Sequence, residues 1–151
     1  MELGDLLTVI IPVYNEEVNL PECLACLTEI KHKVIVDSGS TDRTQEIARA
    51  AGCQILNFKW DGHFPKKRNW AMRNCGVMTP WVMFLDADER MTDAVKRELL
   101  ETLPQTKHDC FRVVLDNWFM GRMLRHGDPM QKTAIVRYPH CEGYHLYHLR
   151  L

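Results

Sequence analysis

The chain has 151 residues, and 19 Lys and Arg against 20 Asp and Glu leave a formal net charge of −1. That length suits one domain, and 46% apolar with 26% charged residues excludes a disordered, collagen-like or coiled-coil chain. The near-even charge balance also argues against general nucleic-acid binding, which needs a clustered positive surface.

No apolar run approaches the ~20 residues that span a bilayer. The longest, Leu6 to Val13, is interrupted by Thr8 and Pro12. The opening Met-Glu-Leu-Gly-Asp is acidic and lacks the basic and apolar regions of a signal peptide, so a cytoplasmic location is expected. The six cysteines then belong to a reducing compartment. Cys23 and Cys26 form a C-x-x-C inside an apolar helical pattern, with no second pair following. Buried free thiols are expected there ahead of a zinc site.

In chain order, Leu6–Val13 is a continuous β-branched run, the mark of a strand buried on both faces. Asn19 is placed to cap a helix, with Pro21 in its first turn and Glu22 at the capping-box position. Leu20, Cys23, Leu24 and Leu27 repeat at helical spacing. Lys33–Val36 reads as a second strand ending at Asp37, and the turn DSGSTD leads into a helix from Asp42 to Ala51 closed by Gly52. Cys53–Trp60 reads as a third strand, and Pro65 opens the helix KKRNWAMRN. Pro80–Leu85 is a fourth strand running into Asp86-Ala87-Asp88, after which Thr92 caps a helix with Val95, Leu99 and Leu103 on one face. Strands alternating with helices imply an α/β fold, a mainly parallel sheet flanked by helices. Beyond Cys110 the pattern loosens. Cys110–Leu115 and Thr133–Tyr138 read as strands, and the segments between and after them carry no clear period.

In such a sheet, ligands bind beyond the carboxyl ends of the strands. Three of these ends are polar: Tyr14-Asn15-Glu16, Asp37 to Asp42, and Asp86 to Glu89. Each alone reads as a cap or turn; three at successive strand ends point to a site. Asp86 and Asp88 flank one small residue, a spacing that can hold Mg²⁺ or Mn²⁺ against a diphosphate. Asp37 is an acceptor suited to a base N–H or a sugar hydroxyl. Lys66, Lys67 and Arg68 could neutralise phosphates or simply solvate a helix face, and spacing leaves both readings open. No P-loop, no G-x-G-x-x-G after the first strand and no G-x-S-x-G elbow is present. A C-x-x-C zinc protein and a nucleotidyltransferase rank below a transferase, the latter because PVYNEE stands where a Gly-rich basic loop would follow the first strand.

The series TVIIPVYNEE, VIVDSGSTDRTQEIA, KKRNWAM and WVMFLDADE, in this order and spacing, resembles the family 2 glycosyltransferases of the GT-A fold. The likeness covers residues 7–103. The segment DNWFMGRMLRHGD looks like the branch that adds sugars to lipopolysaccharide core, similar to the WaaE-type glucosyltransferases. The resemblance implies an inverting transfer from a nucleotide-sugar, commonly a UDP-sugar, to an envelope glycolipid or polysaccharide acceptor. It implies a nucleotide-sugar-binding half at 1–103 and a partial acceptor-side region at 104–151 within a single domain. By motif position, Pro12, Tyr14, Asn15 and Glu16 line the nucleotide pocket, and Asp37 contacts the base, with Ser40 in the same turn. Lys67, Arg68 and Asn69 match the element near the diphosphate, Asp86 approaches the ribose, and Asp86 and Asp88 are the metal ligands, Asp88 foremost.

Members of the family extend further than Leu151, with the acceptor site and catalytic base in the later half. A donor-binding module without transfer is therefore the alternative expectation. Asp128, beside Arg125 and His126, is the candidate base, against its plainer reading as a turn residue before Pro129. Trp118–Arg125 combines apolar residues with two arginines, which suits a peripheral membrane contact. An acceptor lid packed on the sheet is the favoured reading of that stretch.

Overall fold

In a computed structural model, the described residues are 1–62, 67–126 and 130–138. A one-turn helix, α1 (Leu3–Leu6), precedes β1 (Leu7–Val13), α2 (Leu20–Ala25), β2 (His32–Asp37), α3 (Thr44–Ala50) and β3 (Gln54–Asn57). Then come α4 (Lys67–Asn74), β4 (Trp81–Phe84), α5 (Asp93–Thr102), β5 (Cys110–Leu115), the short strands β6 (Trp118–Phe119) and β7 (Arg122–Met123), and β8 (Met130–Arg137). The main sheet has the order β3-β2-β1-β4-β8-β5. β3, β2, β1 and β4 are mutually parallel, whereas β8 runs antiparallel between β4 and β5. The mainly parallel sheet flanked by helices is thus the architecture observed.

Strand alternation sorts the core into two layers. Val9, Ile11, Val13, Ile35, Trp81 and Met83 pack with Leu20, Leu24, Leu27, Ala48, Leu99 and Leu103, so α1, α2, α3 and α5 cover one face. Ile10, Val34, Val36, Val82 and Phe84 pack with Ala71 and Met72 of α4 and Cys75 just after it on the other. The face shared by Leu99 and Leu103 on α5 is the buried one, and Thr92 caps that helix by accepting from the Val95 N–H at 3.3 Å. Gly52 ends α3 with φ of +72°, the left-handed conformation a helix stop requires.

Several local expectations change. Asn19 does not cap α2 with its side chain; its backbone is helical and its amide donates to Glu16 Oε2 at 3.1 Å. Glu22 pairs with Arg90 at 3.2 Å instead of closing a capping box. The third strand is Gln54–Asn57, shorter at both ends than Cys53–Trp60, because its partner β2 ends at Asp37, which pairs with Asn57. Lys66 and Pro65 lie outside the described residues. The helical turn α1 was unforeseen. It buries Leu3 and Leu6 and places Gly4 so close to the loop before β2 that a Cβ there would sit 2.5 Å from the Glu29 carbonyl oxygen.

Cys23 is fully buried and pushed up to about 12 by desolvation, which keeps it a thiol. Neither it nor Cys26 belongs to any group of three potential metal ligands among the described residues. No helix among them is long and apolar enough to cross a membrane.

Candidate active site at the carboxyl edge of the sheet

Parallel pairing of β2, β1 and β4 brings the ends of all three to one edge. The first two end loops are laced together. The Asn15 N–H donates to Ser40 Oγ at 2.8 Å, and the Thr41 N–H donates to Asn15 Oδ1 at 2.7 Å. Asn15 holds φ of +51° to do so, a conformation Asn tolerates better than most residues. Farther along, the Glu16 N–H donates to Thr44 Oγ1 at 2.8 Å and the Glu17 N–H to Asp42 Oδ2 at 3.2 Å. Burial works against the Asp42 charge, but hydrogen bonds from Thr44 and Glu17 hold its carboxyl below the usual range. Pro12 stays in β1 opposite Val36, and Tyr14 projects into solvent just beyond.

Asp37 terminates β2 with no exposed surface. Its carboxylate accepts from the Ser40 N–H, from Ser40 Oγ and from Gln45 Nε2 at 2.6 Å, and the same Gln45 amide reaches Asn57 at 2.8 Å. A buried carboxylate needs this many donors to remain tolerable. Lys67, at the start of α4, crosses the edge to donate to the Val13 carbonyl at 3.2 Å. Burial lowers its ammonium pKa below the lysine range while Asp37 pulls the other way. Next to it, Arg68 lies 5.2 Å from the Phe84 ring and 3.9 Å from Asp86, and Asn69 carries a buried Oδ1 with no hydrogen-bond partner among the described residues.

The D-x-D segment follows β4. The buried Ala87 anchors the turn, while the backbone N–H of Asp86 donates to Glu89 Oε2 at 2.9 Å. Lys132 of β8, only 11% exposed at its side chain, sits against Asp86 at 3.2 Å and also pairs with Glu89. Arg90 donates to the Ala87 carbonyl at 2.8 Å, tying the turn from its other side. Asp88 differs from its neighbours: it is exposed and makes no hydrogen bond or ion pair with the described residues. One free carboxylate beside two cation-bound ones is no all-protein metal cage. It does fit a hard divalent ion shared with phosphate oxygens, the usual way Mg²⁺ is held.

Among the described residues the structure therefore gathers Pro12, Tyr14, Asn15, Glu16, Asp37, Ser40, Lys67, Arg68, Asn69, Asp86 and Asp88 along one edge. Asp128 lies outside them. Sequence reasoning missed Gln45, which one helical turn beyond the DSGSTD loop could have suggested, and Lys132, which no local pattern marks.

A model of the family described as glycosyl transferase family 2 matches residues 8–147. The chain belongs to that family. Among curated relatives, it is 38% identical over 102 residues to the lipopolysaccharide core biosynthesis glycosyltransferase LpsC of Rhizobium meliloti, covering 64% of this chain and 36% of that protein. It is 32% identical over 112 residues to a TPR repeat-containing protein of Synechococcus elongatus, covering 74% and 27% respectively. Among solved structures, S. aureus TarS superposes with a TM-score of 0.57 over 70% of this chain and 20% of that one, at 24% identity, a likeness of fold. The family 2 chain thus spans 27% and 36% of the length of these two curated relatives.

Proposed function

We propose that this chain acts as a metal-dependent, inverting glycosyltransferase that takes its sugar from a UDP-sugar. The acceptor class we assign is an envelope glycolipid or polysaccharide such as lipopolysaccharide core. The observation that carries the reading is the convergence of Asp37, Lys67, Arg68, Asp86 and Asp88 on one sheet edge of a family 2 chain. The likeness to a lipopolysaccharide core glycosyltransferase supports the acceptor class.

In this reading Asp37 lies at the base end of the pocket, where Ser40 and Gln45 hold its carboxylate. Tyr14, on the exposed end of β1, stands beside the base, with Pro12, Asn15 and Glu16 shaping the pocket floor. Lys67 carries a charge the fold disfavours, and a diphosphate relieves it. Arg68 and Asn69 flank the same anion, while Asp86 faces the ribose. Asp88, with Asp86 adjacent, would hold Mg²⁺ or Mn²⁺, whose Lewis acidity would stabilise the departing diphosphate. Asp128 is assigned as the base that takes the acceptor proton, the role an inverting transfer requires of a carboxylate.

The test is UDP release from UDP-sugars in the presence of amphiphilic glycan acceptors, with and without Mn²⁺. The reading requires release that depends on both metal and Asp88. Donor binding without release, for every acceptor tried, would reduce the chain to a nucleotide-sugar-binding module.

A further inference from the structure

Beyond β5 the chain makes a two-stranded ribbon whose large apolar side chains are exposed. Trp118 pairs with Met123 and Phe119 with Arg122, joined by Met120 and Gly121 at φ of +48° and +74°. Two successive left-handed residues make a primed turn, which matches the ribbon's twist. Alternation puts Trp118 and Met123 on one face and Phe119 and Arg122 on the other. Yet Trp118 is 67% exposed, Phe119 65%, Met120 87% and Leu124 56%. The ribbon therefore has no buried side. An acceptor lid packed on the sheet, the expectation from sequence, is not what these residues form.

A patch of this kind marks an interaction surface, and its charge says which. Residues 117–126 contain Arg122, Arg125 and His126 but no carboxylate, in a chain whose net charge is −1. An exposed apolar ribbon with two arginines and no carboxylate in its sequence is complementary to anionic headgroups above an acyl layer. Its position agrees. β5 is antiparallel to β8, which is antiparallel to β4, so β5 ends at the same edge as β4, where Asp86 and Asp88 lie. We propose that the β6–β7 hairpin is a docking surface that seats this edge of the molecule on an anionic lipid bilayer. Docking there turns the donor edge toward the membrane plane, where an acceptor with a lipid anchor would present its glycan. The docking itself does not rest on the donor-site reading.

The experiment is flotation of the full chain with vesicles of phosphatidylglycerol and phosphatidylcholine, and with phosphatidylcholine alone. The wild type floats with the anionic vesicles at low salt and is released at high salt. Trp118→Ser with Phe119→Ser lowers the bound fraction about tenfold, and Arg122→Gln with Arg125→Gln removes the salt dependence. Circular dichroism confirms that the variants fold, and titration with UDP and Mn²⁺ gives wild-type binding in both. Absence of flotation by the wild type, or equal flotation by the Trp118/Phe119 variant, overturns the proposal. So does a wild type that sediments without lipid as a dimer while that variant sediments as a monomer, which would make the hairpin an interface between copies. If no form binds nucleotide but flotation still depends on the hairpin, the donor reading fails and the docking surface stands.

Discussion

At the scale of single residues, the site separates groups the fold has already satisfied from groups it has left open. Asp37 and Asp86 are satisfied, the first by Ser40 and Gln45, the second by Lys132 and Arg68. Asp88 is open, so Asp88→Asn should leave the melting temperature unchanged while weakening UDP binding in Mn²⁺ by about a hundredfold. Calorimetry beside a thermal melt separates the two effects, and equal affinity in the variant would remove Asp88 from the metal role. Lys67 gives the opposite signature. Its folded pKa lies below its unfolded one, so the charged form is disfavoured by folding at neutral pH. That penalty fades as pH rises through the lowered pKa. Lys67→Met should thus hold or raise the melting temperature, by up to about 3 °C, while nucleotide binding is lost. A variant that melts lower at neutral pH would show that the Val13 contact outweighs the buried charge.

At the scale of elements, α2 and β8 show what local pattern could and could not foretell. The spacing of Leu20, Cys23, Leu24 and Leu27 placed the buried face of α2 correctly, since a period of 3.6 depends only on neighbours in the chain. The cap was misjudged because Asn19 found a better partner in Glu16, a choice made by the β1 loop and not by the helix. Cys23 on that face has a testable consequence. Its folded pKa is raised above its unfolded value, so its stabilising contribution is complete below pH 9.0 and is lost as pH rises toward about 12. In urea melts the wild type should lose ground to Cys23→Ala across that window; parallel curves would contradict the burial argument. For β8, sequence marks a strand but not its direction or neighbours. Antiparallel insertion beside β4 is what delivers Lys132 to Asp86 and Glu89. Lys132→Met removes the cation shared by Asp86 and the largely buried Glu89 and should lower stability by about 2 kcal/mol. Mn²⁺ should recover part of the loss, and a variant indifferent to the metal would mean the turn is held by backbone alone. Gly4→Ala should cost about 1–3 kcal/mol, because the new Cβ meets a backbone oxygen and not a movable side chain.

At the scale of the whole molecule, the alternation of strands and helices specified a parallel sheet, and a parallel sheet specifies which edge holds the ligand. That the polar strand ends 14–16, 37–42 and 86–89 share one edge was therefore legible in the sequence, because topology alone brings them together. The loosening of pattern after Cys110 has a physical source as well. β6 and β7 bury neither face, so no hydrophobic period records them, and the hairpin is visible only once exposure is measured. The ends of β4 and β5, and with them the D-x-D turn and the start of the hairpin, lie at one edge of the sheet.

The claim on which the account rests is that this edge binds a nucleoside diphosphate through a metal. Calorimetric titration of the purified chain with UDP, GDP and CDP, each with and without Mn²⁺, tests it most directly. The account predicts that UDP binds, that binding requires Mn²⁺, and that the other two nucleotides bind far more weakly. A folded chain that binds none of the three, or all of them equally without metal, would contradict it.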